Sequence, residues 1–436
     1  MRFSRPLVLI VMILSGGGLR AAETTTLTLE QALASVEKGN LTVLLSREAT
    51  LQALEQSAVT RSNILPNIGA SATQRRSRGV SISNTGVVTP SSPTNRFDAQ
   101  VSGSYAVVDP AAWVSARAAR VGVEVARADY NAVLQNVLAG VAESYFAHLR
   151  NLRRLDVLDN NIVRARSLLE LASNQLRAGV ATQIDVTRAD AQLALAEQAR
   201  LQQVTTLVDS ELFLKRAIDI HPGQPVTLAD FSVRRGDPTL QIFGDDQATF
   251  EKRADYVRAE KAVEQAKLDV RATTFQRLPA LDLSGQLGLG ARNFDEDSGR
   301  TWSASIGVSV PIFDGFRIGS QRQIALSRQR SQEMRLRNLS LQISAELRLA
   351  AQDASSRNAQ VTVAEKSFQL SEEELRLAEQ RYRQGVADNR EVVDAQNRRA
   401  IAADNFVEAV FQYNLSRVEL ARARGDVRTV LLEKAP

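Results

Sequence analysis

Small residues, alanine or serine, recur at every seventh position in two separate stretches of this chain, with one glutamine among them. The two sets are Ala189, Ala196, Gln203, Ser210 and Ala217, and Ala395, Ala402, Ala409, Ser416 and Ala423. A spacing of seven is typical of a coiled-coil seam, in which small residues let helix backbones approach closely. Gly179 precedes the first set and Gly385 the second, so an offset of 385 − 179 = 206 residues relates the copies. The pattern predicts two helical hairpins related by an internal repeat.

Four other segments alternate apolar and polar residues with a period of two, which is typical of β-strands. They lie at 67–74, 97–107, 281–289 and 302–310, and the first is the weakest. A polar loop joins the members of each pair, so the sequence predicts two β-hairpins, at 66–108 and at 279–312. The fold class that follows is mainly α with a small β part.

Two long runs without proline, one in each half, favour unusually long helices. No proline falls between Pro110 and Pro222, or between Pro311 and Pro436. A helix from about Ala112 to Ala178 would be roughly 100 Å long, so the molecule is expected to be elongated. An earlier helix should begin after Thr28, which with Gln31 forms a capping-box pattern, and should run to the proline at position 66.

The second half of the chain repeats the first in the order of its elements: helix, β-hairpin, long helix, glycine turn, helix. The glycine turns lie at 179–182 and 385–388. The predicted parts are a signal peptide at 1–22, a first repeat at 23–219, a connecting segment at 220–250, a second repeat at 251–425 and a tail at 426–436. We interpret the connecting segment as a small side domain, because it contains proline and glycine and has little periodicity.

The N-terminus indicates that the protein is exported, and the composition limits the kinds of bond and partner that it can have. Arg2 and Arg5 precede a short apolar run and a set of small residues, which is the layout of a secretory signal. No later segment approaches the ~20 apolar residues of a transmembrane helix. The chain has no cysteine, which excludes disulfides and thiolate metal sites. Its net charge of +5 comes from basic residues interleaved with acidic ones, which favours solvated helix faces over nucleic-acid binding.

The predicted strands have the length and the pattern of membrane strands. Strands of ~9–11 residues cross a bilayer when tilted, with apolar residues facing lipid and polar residues facing the lumen. Phe97, Tyr105 and Trp302 lie near strand ends, where an aromatic girdle would place them. Membrane barrels need at least eight strands, because lipid tolerates no open edge. Four strands per chain therefore predict a barrel shared between subunits.

No residue pattern indicates an enzyme or a bound cofactor. His148 and His221 are the only histidines and are far apart in sequence. The chain has no phosphate-binding glycine loop, metal-ligand cluster or nucleophile elbow. We therefore predict no catalytic residue, no metal site and no cofactor.

Several short motifs together resemble the outer-membrane efflux protein family, the TolC-like exit ducts of Gram-negative bacteria. They are TLTLEQAL at 26–33, LPNI at 65–68, VAESYF at 141–146, VPIFDG at 310–315, and the turns RAGVAT at 177–182 and RQGVAD at 383–388. Each motif is weak alone, but their order, spacing and duplication cover essentially the whole mature sequence. The resemblance implies a homotrimer, in which a shared twelve-stranded barrel in outer-membrane lipid continues into a periplasmic α-barrel. It also implies two partners, a periplasmic adaptor (membrane fusion) protein and an inner-membrane transporter of RND or ABC type.

The resemblance also implies roles for residues at the two turns. Gly179, Val180, Gly385 and Val386 match the tip motif that adaptors contact, although glycines with positive φ would also be needed simply to reverse the chain. Glu391 and Asp394 match acidic residues that form rings in the tunnel entrance and would set its cation preference; without the family they would be an ordinary exposed acidic pair near a helix N-terminus. Two further residues match positions that tie the hairpins together when the entrance is shut, namely Asp185 and Tyr382. Ala387 stands where some members carry an arginine of that latch.

One alternative remains from the residues themselves, a soluble periplasmic coiled-coil protein such as an adaptor. Such a protein would share the signal peptide and the helical hairpins. It would not need four strands of bilayer length placed symmetrically in two repeats. The cargo of an exit duct could be drugs, metal ions or polypeptides, and the absence of methionine-rich or histidine-rich tracts weakly disfavours a duct dedicated to metals.

Overall fold

The structure, a computed structural model, describes residues 25–229 and 247–432. The predicted signal peptide at 1–22 lies outside these residues, as do 230–246 of the connecting segment and 433–436 of the tail. The elements in chain order are β1 (Thr25–Leu27), α1 (Leu29–Gly39), α2 (Leu41–Ser62), β2 (Asn67–Ser77), β3 (Val80–Ile82), β4 (Val88–Pro90), β5 (Thr94–Val108), α3 (Pro110–Arg177), α4 (Gln183–Ala217), β6 (Val226–Leu228), α5 (Gln247–Lys252), α6 (Ala254–Phe275), β7 (Ala280–Ala291), β8 (Gly299–Ser309), α7 (Arg317–Arg383), α8 (Asn389–Ala423) and α9 (Thr429–Leu432). The mainly helical fold with four principal strands and an internal repeat is as predicted.

Two very long helices set the length of the molecule. Helix α3 has 68 residues and α7 has 67, so each is roughly 100 Å long at ~1.5 Å per residue. Pro110 opens α3, where a missing N–H costs nothing, and the Asp109 carboxylate accepts the N–H of Ala112. The shorter helices α4 and α8, of 35 residues each, fold back along the far halves of α3 and α7. Helices α2 and α6 lie along their near halves.

The sequence predicted one helix from Thr28 to the proline at 66, and this prediction was wrong. The capping box of Thr28 and Gln31 is present, but the chain breaks between α1 and α2 at Asn40. The Asn40 side-chain oxygen accepts the N–H groups of Thr42 and Val43, and its amide donates to the carbonyl of Ala217 across 2.8 Å. An asparagine side chain can take the place of helical hydrogen bonds to backbone N–H and C=O groups. Asn40 therefore ends one helix and begins the next.

The four principal strands form one antiparallel sheet in the order β2-β5-β7-β8. Both hairpins pair internally, and β5 of the first repeat pairs with β7 of the second. Strands β2 and β8 therefore lie at the edges of the sheet in the described chain. Helices leave only one end of the sheet, which we call the helix end; the hairpin loops leave the other, the loop end.

Two small β elements escaped prediction. The loop of the first hairpin contains the short antiparallel pair β3 and β4. Strands β1 and β6 pair in parallel across some 200 residues of sequence, and the Tyr145 hydroxyl donates to carbonyls of both, at Leu27 (3.3 Å) and Ala229 (2.8 Å). This pair lies against a core formed by α1, α3, α4 and α8. Of the two strands, β6 belongs to the connecting segment at 220–250 that was predicted as a side domain, and β1 belongs to the first repeat.

The heptad positions mark the seams between the helices of each hairpin. In the second copy Ala395, Ala402, Ser416 and Ala423 are buried; in the first copy Ala189 and Gln203 are. The Gln203 amide donates to the Asn151 carbonyl across 3.0 Å, and Ser210 lies 2.9 Å from His148 Nδ1. Polar residues within the seam thus have partners on the facing helix. Within the described ranges, no helix is long and apolar enough to cross a membrane.

Candidate functional site at the helical tip

Both helical hairpins reverse through the same backbone motif at the end of the molecule that lies farthest from the sheet. Gly179 has φ of 76° and Gly385 has φ of 71°, in the left-handed region that other residues adopt only with strain. A Cβ atom at either glycine would meet no neighbour within 4 Å. Backbone conformation alone therefore requires glycine at these two positions.

The hydrogen bonds of the turns identify the motif. Gly179 N–H donates to Leu176 and Val180 N–H to Gln175, each across 3.0 Å. Gly385 and Val386 repeat the two bonds at the same length. This is the Schellman pattern, which satisfies carbonyl groups at a helix C-terminus.

The residue after each glycine leaves an apolar side chain in solvent. Val180 is 75% exposed and Val386 is 68% exposed. In many Schellman motifs the residue at this position packs against the helix that it follows. Here both valines project from the tip, so each turn offers an apolar contact to another molecule.

Helices α4 and α8 lead back from the two turns, and we call them the return helices. They begin with different charges, although the repeat aligns them. Thr182, Asp185 and Arg188 of the first copy correspond to Asp388, Glu391 and Asp394 of the second, at the offset of 206 residues. The Asp185 carboxylate accepts the hydroxyl of Thr182 at 2.6 Å and its N–H at 2.9 Å. These bonds, the hydroxyl first, lower the pKa of Asp185. Asp388 instead caps its helix directly by accepting the N–H of Glu391.

The two hairpins touch each other near the tip through a small apolar core. It is built from α3 and α4 on one side and from α7 and α8 on the other. Two hydrogen bonds cross this contact beside the turns, and a third, exposed to solvent, joins Gln192 to Asn397. The Asn389 amide donates to the backbone carbonyl of Asp185 at 2.7 Å, and the Gln175 amide donates to that of Tyr382 at 3.3 Å.

Tyr382 lies within this core, and its hydroxyl makes no hydrogen bond with the described residues. Burial raises its pKa, and the charges of Asp185 and Asp388 raise it further. Tyr382 and Asp185 are thus close enough to interact electrostatically, but their side chains are not hydrogen-bonded. In this structure the bonds that join the hairpins at these two residues end on their backbone carbonyls.

Glu391 and Asp394 lie outside that core, on the surface of α8. The Glu391 side chain is 38% exposed and lies 3.5 Å from Arg381 of the neighbouring helix α7. The Asp394 side chain is 51% exposed and lies 3.9 Å from Arg390. At these distances in water each arginine offsets only part of the carboxylate charge.

Sequence reasoning missed Asn389, which is 1% exposed and donates the 2.7 Å bond that joins the hairpins beside the turns. A polar residue at the start of a helix is common and does not by itself indicate a contact with another hairpin. The first copy carries Gln183 at the equivalent position, so the repeat gave no signal either. In the residues 25–229 and 247–432, no group of three or more metal-ligating side chains could hold a metal ion.

Comparisons with known proteins agree with this architecture. In sequence, the chain is 28% identical to the outer membrane protein OprJ of Pseudomonas aeruginosa over 66% of its own length and 61% of OprJ. It is 24% identical to the pyoverdine export outer membrane protein OpmQ of Pseudomonas putida, over 86% of this chain and 80% of OpmQ. In structure, it resembles the CmeC outer membrane channel of Campylobacter jejuni with a TM-score of 0.80 and 20% identity, over 93% of this chain and 88% of CmeC.

The family assignment rests on a match to most of the sequence. A family model described as outer membrane efflux protein matches residues 23–218 and 247–426. The matched segments contain both glycine turns, all four principal strands and both long helices. The chain therefore belongs to the outer membrane efflux protein family, which consists of outer-membrane transport proteins rather than enzymes.

Proposed function

We propose that three copies of this chain form an exit duct of a tripartite efflux or type I secretion system. The duct conducts substrates passively from an inner-membrane pump and its periplasmic adaptor across the periplasm and the outer membrane. The observation that carries this proposal is the open four-stranded sheet, which continues into helices roughly 100 Å long. One face of the sheet exposes apolar side chains such as Ile68, Trp302 and Ile306. Three copies supply 3 × 4 = 12 strands, an even number above the minimum for a membrane barrel.

Closure between copies follows from the edges of the sheet. Strands β2 and β8 are the outer strands, so a closed barrel must pair β8 of one copy with β2 of the next. The exposed apolar face also disfavours the alternative of a soluble adaptor, because such a face in water promotes aggregation.

Disulfide trapping tests this arrangement directly, because the chain contains no cysteine. Single cysteines placed along β2, at Ser71 or Thr73, are combined with single cysteines along β8, at Ser303 or Ser305. In outer-membrane fractions, oxidation should give a covalent trimer for at least one combination. Pairs that place the second cysteine on β7, at Ser284, serve as controls and should give no such product. Extraction of a monomer from the membranes by salt alone would contradict the proposal.

We further propose that the tip binds the adaptor through Val180 and Val386. Support comes from their exposure in two equivalent turns and from the same left-handed backbone conformation of the glycine that precedes each valine. Val180→Asp with Val386→Asp should abolish efflux and adaptor co-purification while leaving the trimer in the membrane. Exposed Val363→Asp on α7 is the control and should keep efflux. Full efflux by the double variant would contradict the proposed contact between the tip and the adaptor.

The acidic residues Glu391 and Asp394 are proposed to line the entrance of the duct. Support comes from their solvent exposure close to the tip and from their spacing on one face of α8. No chemical step is assigned to these carboxylates. Their role is to raise the local concentration of cations at the entrance.

A further inference from the structure

The two faces of the sheet differ sharply in polarity. One face, which we call the apolar face, carries at successive alternate positions Ile68, Ala70, Ala72, Gln74 and Arg76 of β2, Asn95 to Tyr105 of β5, Leu281 to Ala291 of β7, and Arg300, Trp302, Ala304, Ile306 and Val308 of β8. The other face carries mainly serine, threonine, glutamine, glycine and aspartate. In a membrane barrel the first face meets lipid and the second lines the lumen.

Two arginines interrupt the apolar face, and both lie at its loop end. Arg76 pairs with Asn95, and Arg300 pairs with Leu289. Arg76 lies 76 − 68 = 8 residues from Ile68, and Arg300 lies 308 − 300 = 8 residues from Val308, so each is equally far from the helix end. Eight residues span about 27 Å of strand, which is close to the height of an apolar band once the strand tilts.

These two side chains are the charged groups of the apolar face within the described strands. Both are exposed, and neither forms an ion pair with a described residue. The neighbouring arginines Arg75 and Arg96 point to the opposite face, where Arg96 pairs with Asp98 at 2.8 Å. Charge on the apolar face is therefore positive and unpaired.

The helix end of the same face is apolar and uncharged, in contrast to the loop end. The strands carry no charged residue there, and exposed apolar residues follow β8 in the connection to α7, including Ile312, Phe313 and Phe316. The face is thus asymmetric along the membrane normal, with apolar and aromatic groups at one end and guanidinium groups at the other. A bilayer with the same headgroups on both sides would give no reason for this asymmetry.

We propose that Arg76 and Arg300 bind phosphate groups of the phosphorylated glycolipid that forms the outer leaflet of the outer membrane. This inference rests on the proposed function, because it requires the sheet to be part of a membrane barrel. Guanidinium groups donate paired hydrogen bonds to phosphate oxygens, and long side chains at this depth can reach the headgroups. Closure of β8 against the next β2 would bring Arg300 of one copy and Arg76 of its neighbour to the same intersubunit seam.

Binding of defined lipids to the purified full-length trimer tests this inference. The probes are bis-phosphorylated lipid A, the same lipid without phosphates, and phosphatidylglycerol, with retention followed by native mass spectrometry. Wild type should prefer the phosphorylated glycolipid over the other two. Arg76→Gln with Arg300→Gln should weaken its binding by about tenfold or more. The control Arg75→Gln with Arg96→Gln, which removes two arginines of the opposite face, should bind as wild type does.

Three results would overturn the inference. They are undiminished binding by the Arg76/Arg300 variant, an equal loss in the control, and retention of phosphatidylglycerol by wild type as strong as that of lipid A. If the variant does not assemble, Trp302 fluorescence of a Trp113→Phe trimer gives a second measurement, because Trp302 lies two residues from Arg300 on the same face. An equal response to lipid A with and without phosphates would then refute the inference. A wild-type chain that forms no membrane trimer would instead refute the proposed function.

Discussion

The Asn389 side chain donates a hydrogen bond of 2.7 Å to the backbone carbonyl of Asp185, and this bond joins the first turns of the two return helices. Asn389 is almost fully buried, so water does not compete for the bond while the hairpins are packed together. The hairpins must separate here if the entrance of the duct widens. The bond therefore favours the arrangement in which the two hairpins are together.

Asn389→Ala should shift the channel toward its open form. The bond contributes about 0.5–1.5 kcal/mol net, because the Asn389 Oδ1 atom is itself buried without a partner. Its loss should change the ratio of open to closed channels by roughly twofold or more. The open fraction is measured with single channels in planar bilayers. Asn397→Ala is the control, because it removes another bond between the hairpins, from Gln192, that is exposed to solvent. An open fraction that the two variants change equally would contradict a special role for Asn389.

Glu391→Gln with Asp394→Asn should reduce the preference for cations. Symmetry would place three copies of each carboxylate around the entrance, so the double variant removes six negative charges from it. Reversal potentials under a salt gradient measure the change in selectivity. Glu48→Gln with Glu55→Gln makes the same change of charge at exposed positions of α2, and it should leave the potential near that of wild type. Unchanged cation preference in the tip variant would show that these carboxylates do not line the entrance.

Periodicity explains why much of the fold was predictable. The spacing of seven located both seams, the alternation located four strands, and each glycine turn depends on a few residues adjacent in sequence. The break at Asn40 was not predicted, because it depends partly on a bond to Ala217. The pairing of β1 with β6 likewise joins residues that are distant in sequence and too few to show a period.

The candidate site was less predictable than the fold, because its contacts cross between the two repeats. Sequence indicated the turns and the acidic residues, whose positions follow from local motifs and from the family. It gave no signal that Asn389 reaches Asp185, which lies 204 residues away. Nor did it indicate that Arg381 would lie beside Glu391.

His148 should make the protein less stable in mild acid. Burial lowers its pKa most strongly, Lys215 lowers it further, and Glu211 opposes them. The unfolded chain therefore binds more protons than the folded one below the ordinary pKa of about 6.5, and stability is lost as the pH falls from that value toward the lowered pKa. The loss cannot exceed about 1.4 kcal/mol per pH unit per subunit.

Thermal unfolding of the solubilised protein between pH 7.5 and 5 checks this expectation. The melting temperature of wild type should fall over this range, and His148→Gln should remove part of the fall while it keeps a polar group near Ser210. His221→Gln is the matched control, because the other histidine is exposed. Parallel pH profiles for wild type and His148→Gln would contradict a role for His148.

Arg399 interrupts the apolar seam of the second hairpin, where the first copy carries Leu193. One guanidinium nitrogen bonds Glu372 at 2.8 Å and the group lies over the ring of Phe368, but its Nε and Nη1 atoms are buried without a partner. The charge also acts on Arg164, whose pKa is lowered by burial and by Arg399. Burying a charge that is incompletely paired costs more free energy than burying a leucine side chain at the same position.

Arg399→Leu should therefore stabilise the protein by about 1–4 kcal/mol, since Glu372 is half-exposed and stays solvated without its partner. Calorimetry should show a melting temperature a few degrees above that of wild type. Arg398→Leu is the control, because Arg398 pairs with Glu374 on the surface, and such pairs contribute about 0–1 kcal/mol. A lower melting temperature for Arg399→Leu would mean that the bond to Glu372 and the contact with Phe368 outweigh the cost of burying the charge.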